Sequence, residues 1–293
     1  MNAEHSAKPN NRIHGYDVIR GFSVISMIGF HLCYDLVYLY GVDLSWFRPP
    51  LQDVWRASIS WTFILIAGIM ATYSRSNFKR GCRYLVVAAV IFLVTTVAAV
   101  DTPISFGIIY CMGASTLVAE AIRRLMPKEL SDRKSMALFA ALLGAFLLCL
   151  DIPSGAFGLK ALGGPYLRMP SAPYESGLLS WLGFPGPTFA SGDYYTPLPF
   201  TLLYLAGTML AKPVRESTKV SHALANLRCR PLEFVGRHAL EFYVLHQPLV
   251  LAALMAVFGR SRANHLSHRD AGLPPCARRP SGSREARCPD TAL

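Results

Sequence analysis

Three ionisable side chains stand on one stripe of an otherwise apolar segment, DVIRGFSVISMIGFHLCYDLVYLY at residues 17–40. Arg20, Val24, Met27, His31 and Asp35 follow one another at spacings of four, three, four and four, the repeat of a single helical face. His31 and Asp35 are a natural pair. A carboxylate one turn on can take the proton of one imidazole nitrogen, which sets the tautomer and leaves the other nitrogen basic. A general base for an attacking alcohol or amine needs that arrangement, and on this ground His31 and Asp35 are candidate catalytic residues. The competing expectation is a buried His and Asp that satisfy one another and lock helix packing.

A second such segment, EFVGRHALEFYVLHQPL, spans residues 233–249. His246 and Gln247 fall deep in it, just before Pro248, which leaves a backbone carbonyl one turn earlier without its helical donor. His246 is thus a second candidate base or a ligand for an acceptor, with a packing role as the alternative. Arg237, His238 and Glu241 sit at the start of the segment, and Asp17 and Arg20 at the start of the first. These basic mouths suit a negatively charged donor molecule, although snorkelling or a surface ion pair would also explain Asp17 and Arg20. Glu241 lies about 140° around the helix from His246, so it is expected to answer Arg20 or Arg237 instead. On the far side, Asp101, Tyr110, Asp193, Tyr194 and Gln247 are the candidate acceptor-binding residues. No P-loop, G-x-S-x-G, H-E-x-x-H or paired-cysteine motif occurs, and no metal is expected.

The elements that must position these groups are membrane helices. Apolar runs near the length that a hydrocarbon core of about 30 Å requires cover residues 18–39, 58–73, 84–100, 104–122, 136–150, 198–214 and 238–258. The second is short and is expected to begin nearer Val54, with Trp55 and Trp61 as interfacial anchors. The expected fold is therefore all-α, a polytopic bundle of about seven spanning helices. Basic clusters follow the second run (Arg75, Lys79, Arg80, Arg83) and the fourth (Arg123, Arg124, Lys128, Arg133, Lys134), and precede the seventh (Lys212, Arg215, Lys219, Arg228, Arg230, Arg237). All three fall on one side, which the positive-inside rule makes cytoplasmic together with the amino terminus. A long segment at 151–197, rich in proline and glycine, then lies outside, as a lid over an outward-facing site or as a surface cap. Residues 1–17 form a cytoplasmic lead and 18–258 the membrane domain. From 259 to 293 the chain is Arg, Pro and Ser rich and is expected to be disordered; that tail's arginines lie on the wrong side of a seven-span count.

Composition agrees. Hydrophobic residues make up 52% of the 293 and charged residues 16%, too little charge for an ordinary soluble domain. The net charge of +11 is assigned to inner loops facing anionic lipid, not to nucleic acid. Seven scattered cysteines, with no C-x-x-C pair, argue against a disulfide framework or a zinc site.

Five pieces in order, RIHGYDVIRGFSVISMIGFHLCYDL, WTFILIAGIMATYSR, PISFGIIYCMG, GDYYTPLPFTLLYLAGTML and PLEFVGRHALEFYVLHQPL, resemble the heparan-alpha-glucosaminide N-acetyltransferase catalytic-domain family, in particular its short bacterial members. The resemblance covers about 12–258, and its first and last pieces are the most specific. It implies a membrane acyltransferase that takes acetyl from acetyl-CoA on the cytosolic side and delivers it to a glucosamine-type amine on the other. It also implies an intramembrane histidine central to the mechanism, for which His31 is the nearest match in the first helix. Arg20, Arg237, His238 and Glu241 are then expected around the acetyl-CoA co-substrate. Expected partners are acetyl-CoA, a glycan or amino-sugar acceptor and the lipid bilayer of a bacterial inner membrane, with homo-oligomerisation left open. Direct transfer by His31 is favoured over an acetyl-histidine relay. A proton-coupled transporter using His31 and Asp35, and a non-catalytic membrane partner, are the alternative readings; no convincing inverted repeat is found.

Overall fold

The computed structural model describes residues 13–98, 102–125 and 130–258. Asp101, Lys128, most of the amino-terminal lead and the tail from 259 lie outside the described residues. The chain forms two compact units, Met1–Val250 and Leu251–Leu293. Of the second, only residues 251–258 are described, as the last turns of a helix.

The described chain is mainly helical: α1 (His14–Tyr34), α2 (Leu51–Ala71), α3 (Asn77–Val97), α4 (Ile108–Leu125), α5 (Asp132–Cys149), α6 (Pro197–Glu216), α7 (Thr218–Asn226), α8 (Arg230–Arg237) and α9 (Ala239–Phe258). α1 continues through a π-helical turn, Asp35–Leu39. All seven apolar runs are helical, with shifted ends. α2 begins at Leu51, and α3 starts at Asn77 because the Ser76 hydroxyl caps the Lys79 amide at 3.4 Å. Five helical stretches are long and apolar enough to cross a membrane: His14–Leu39, Leu51–Ala71, Asn77–Val97, Asp132–Ser154 and Ala239–Phe258. α4 and α6 are not among them. Their final turns carry Glu120, Arg123 and Arg124 in one and Lys212, Arg215 and Glu216 in the other, charges that a hydrocarbon-spanning window tolerates poorly. Among the described residues five helices thus meet the length and apolarity of a span, and the expected count of about seven is not confirmed.

Packing explains why α4 and α6 can be less apolar. They supply Ile108, Ile109, Met112, Leu203, Tyr204 and Leu205 to a core shared with Phe63, Ile64 and Ala67 of α2 and Phe146 of α5. Lipid tails are as apolar as these side chains, so close van der Waals fit decides which faces meet. Four seams among the described residues use glycine for it, one of them Gly15 of α1 against the Leu224 carbonyl of α7. A Cβ on Gly21 of α1 would collide with the Leu232 carbonyl of α8, and one on Gly236 with the Asp17 carbonyl of α1. Gly68 and Gly207 do the same between α2 and α6, and Gly81 and Gly113 between α3 and α4. Half-buried Trp61 packs edge-on to buried Phe146 of α5 at 5.0 Å. Trp55 ties α2 to α1 by donating to the Ser26 hydroxyl at 2.8 Å.

A polar chain crosses the core. The Arg80 guanidinium donates to the Tyr204 hydroxyl at 2.7 Å and to the Ala67 carbonyl at 3.3 Å. Thr116 donates its proton to the Met112 carbonyl at 2.6 Å, so Tyr204 must donate to Thr116 at 2.8 Å. Tyr204→Phe would strip Arg80 of a buried acceptor, at an expected cost of about 1–3 kcal/mol, read as a lower Tm in detergent. An unchanged Tm would show that the link is not structural.

The segment between α5 and α6 is irregular, as its prolines require. It holds 3-10 turns and a short antiparallel hairpin, β1 (Ala156–Gly158) against β2 (Tyr166–Arg168). Its last part is clipped to the approach of α4: Gly192 N–H donates to the Pro103 carbonyl at 3.3 Å, Ser105 N–H to the Ser191 hydroxyl at 3.0 Å, and Tyr195 N–H to the Phe106 carbonyl at 2.9 Å.

Candidate active site

The polar stripe of α1 turns inward. Val24 and Asp35 are buried, and Met27 packs on the core. From the opposite side α9 presents His246, only 7% exposed. The two imidazole rings, from His31 and His246, lie 4.9 Å apart between centroids.

Their partners differ from those that spacing along α1 suggests. Among the described residues no hydrogen bond joins His31 to Asp35. At Asp35 the helix widens: its N–H is shared between the His31 and Leu32 carbonyls, and the π turn begins. Single π turns recur at functional sites. Here the turn coincides with an Asp35 carboxylate that accepts from Gln247 of α9 at 3.0 Å. Because a carboxylate accepts, the Gln247 amide must present its nitrogen to Asp35. Its oxygen is then left buried and without a hydrogen-bond partner.

His246 has the orienting contact that His31 lacks. Its Nδ1 lies against the Tyr243 backbone carbonyl. A carbonyl can only accept, so Nδ1 carries the proton and Nε2 holds the lone pair. That Nε2 is buried and has no partner. Two acceptor atoms, His246 Nε2 and Gln247 Oε1, therefore stand unsatisfied on consecutive residues, an uncommon state for buried polar atoms and one that a ligand can relieve.

The acceptor-side candidates separate. Tyr110 and Tyr243 line one small cavity with Ser105 and Gly107. Asp193 accepts at one carboxylate oxygen from the Tyr243 hydroxyl at 3.1 Å and from the Ile108 amide at 3.0 Å, capping α4 from a distant part of the chain. Burial pushes the Asp193 carboxyl up, while those two hydrogen bonds favour its ionised form. The Tyr194 hydroxyl donates to the Ser180 carbonyl at 2.7 Å within the outer segment. Asp101 is outside the described residues. Tyr243 was not singled out by sequence; its spacing of three from His246, one turn on the same helix, was the available signal.

At the other end, the glycine seam of α1 with α8 sets Gly236 against Asp17 and Gly21, bringing Arg20 and Arg237 to the same end of that helix pair. Arg20 lies 3.9 Å from buried Asp17. Arg237 Nε donates to the Glu233 carbonyl at 3.1 Å, and exposed His238 stacks near Phe234. Glu241 does not answer Arg20 or Arg237. It lies 3.6 Å from Arg83 of α3. Among the described residues no group of three or more His, Cys, Asp or Glu could hold a metal ion.

Helices long and apolar enough to cross a membrane, two of them bringing a pair of imidazoles together, define a multi-pass membrane protein with a polar site among its helices. Residues 12–248 match the family model described as heparan-alpha-glucosaminide N-acetyltransferase, catalytic, and the chain belongs to that family. Membership indicates a membrane acetyltransferase, and the matched range includes His31, Asp35, His246 and Gln247. No curated protein and no solved structure matches the chain at a significant level.

Proposed function

We propose that this protein moves an acetyl group from cytosolic acetyl-CoA to an amine or hydroxyl of an extracytoplasmic glycan or amino-sugar acceptor, across a bacterial inner membrane. The observation that carries the reading is the His246 imidazole, with Nδ1 held by the Tyr243 carbonyl and Nε2 buried, basic and unpartnered. In this reading His246 Nε2 takes the proton as the acceptor nitrogen or oxygen attacks the thioester carbonyl carbon. The new C–N or C–O bond forms, the C–S bond breaks, and the CoA thiolate leaves and is protonated. His31, whose ring lies beside His246, is the adjacent group on the proton's path. Gln247 Oε1 holds a second acceptor proton while Asp35 fixes the amide's orientation. Arg20 and Arg237 supply positive charge for the CoA phosphates at the mouth taken as cytoplasmic, with His238 beside them.

Purified protein in proteoliposomes, given labelled acetyl-CoA outside the cytoplasmic face and glucosamine as probe acceptor, tests this. Label in the N-acetyl product, with one free CoA thiol released per acetyl transferred, is the expected result. A folded protein that neither binds CoA nor transfers label would sink the reading.

A further inference from the structure

α9 has no glycine and, like α5, takes part in none of the glycine seams seen among the described residues. Pro248 also removes one of its own backbone hydrogen bonds. Side chains must therefore hold its site-bearing turn in place. Tyr243 is central to this, because its two ends do different things. Its backbone carbonyl orients His246, while its hydroxyl donates to Asp193 at 3.1 Å.

Asp193 is itself held from several directions. The same oxygen accepts the Ile108 amide. The Ser191 hydroxyl donates to the Asp193 backbone carbonyl at 2.7 Å. Gly107 leaves just enough room, since a Cβ there would stand 2.6 Å from the carboxylate oxygen. The flanking residues 192 and 195 are bonded to the approach of α4. A carboxylate whose bonded oxygen already serves two internal donors is poorly placed to bind an incoming acceptor.

We propose that Asp193 is a positioning residue, acting through Tyr243 to hold the turn of α9 that carries His246 and so tying the outer segment to the transfer site. The inference rests on the acetyl-transfer reading for its kinetic test, but not for its spectroscopic one. In proteoliposomes, Tyr243→Phe and Asp193→Ala are each expected to lower kcat by about 10- to 10²-fold, the usual effect of a slightly misplaced catalytic group. The acceptor KM should stay within about twofold, and the double variant should be no slower than either single one. Asp193→Asn keeps an oxygen that can accept from both donors and should recover most of the loss. A raised acceptor KM at unchanged kcat would assign Asp193 to acceptor binding and overturn the proposal, as would losses that multiply in the double variant.

If the wild-type protein shows no turnover, the acetyl-transfer reading fails and the positioning claim is decided by ¹⁵N-histidine NMR in detergent. The wild type should show His246 as a single Nδ1–H tautomer, and Tyr243→Phe a mixture. An unchanged pattern overturns the proposal. Tyr243→Phe, which removes one oxygen, keeps the test valid should Asp193→Ala fail to fold.

Discussion

His246→Ala is expected to lower acetyl transfer by about 10²- to 10⁴-fold, the span typical of removing a general base, with membrane insertion and Tm close to wild type. The reason is local. Nε2 is the basic atom of an imidazole whose other nitrogen is committed to the Tyr243 carbonyl, and among the described residues nothing bonds to it. Because Nε2 has no internal partner, the variant strands no buried donor, and the Tyr243 carbonyl gives up only its contact with Nδ1, so the protein should stay folded. His31→Ala tests the base suggested by the α1 stripe. Its ring adjoins His246, but it lacks the carboxylate contact that would set its tautomer. A proton path shared by the two rings predicts a loss in both variants, the larger at His246. Steady-state turnover of His246→Ala at the wild-type rate, in protein that melts normally, would remove His246 from the chemistry and return the base assignment to His31.

Gly236→Ala should be the most damaging single methyl addition. The new Cβ would overlap the Asp17 carbonyl oxygen, which is backbone and cannot rotate away, so α1 and α8 would have to separate. A cost of about 3 kcal/mol or more is expected, at or beyond the upper end for overpacking. It would be read as a large drop in Tm or in the monodisperse fraction after detergent extraction. Gly144→Ala is the control, with nothing within 4 Å of its Cβ and the higher helix propensity of alanine in its favour, worth about 1 kcal/mol. Equal Tm values for the two variants would show that the α1–α8 seam is not close-packed. Separation of that seam also moves Arg20 and Arg237, so surviving Gly236→Ala protein should bind CoA more weakly.

Much of the fold is legible without coordinates because membrane helices are written locally. The length of an apolar run and its charged flanks mark α1, α2, α3, α5 and α9, each long and apolar enough to cross. α4 and α6 are legible as helices, but their charged last turns keep them outside the length and apolarity of a span, and they place much of their surface against other helices. Helix ends shifted where capping residues such as Ser76 outweighed hydropathy.

For the site, the residues themselves could be read from the sequence: polar and ionisable groups in apolar runs are rare enough to single out His31, Asp35, His246 and Gln247. Their partners could not. A spacing of four is a local rule, and it places Asp35 over His31 only if the helix stays α-helical. The π turn at Asp35 and the rotation of α9 gave that carboxylate to Gln247, the Tyr243 hydroxyl to Asp193 and Glu241 to Arg83. Chain chemistry thus determined a helical membrane protein with two imidazoles in its apolar helices. Tertiary packing decided that Asp35 serves Gln247 and not His31, because a hydrogen bond between helices depends on their rotation and register, and these are set by side-chain fit across the bundle, whereas the contact that orients His246 is local to α9.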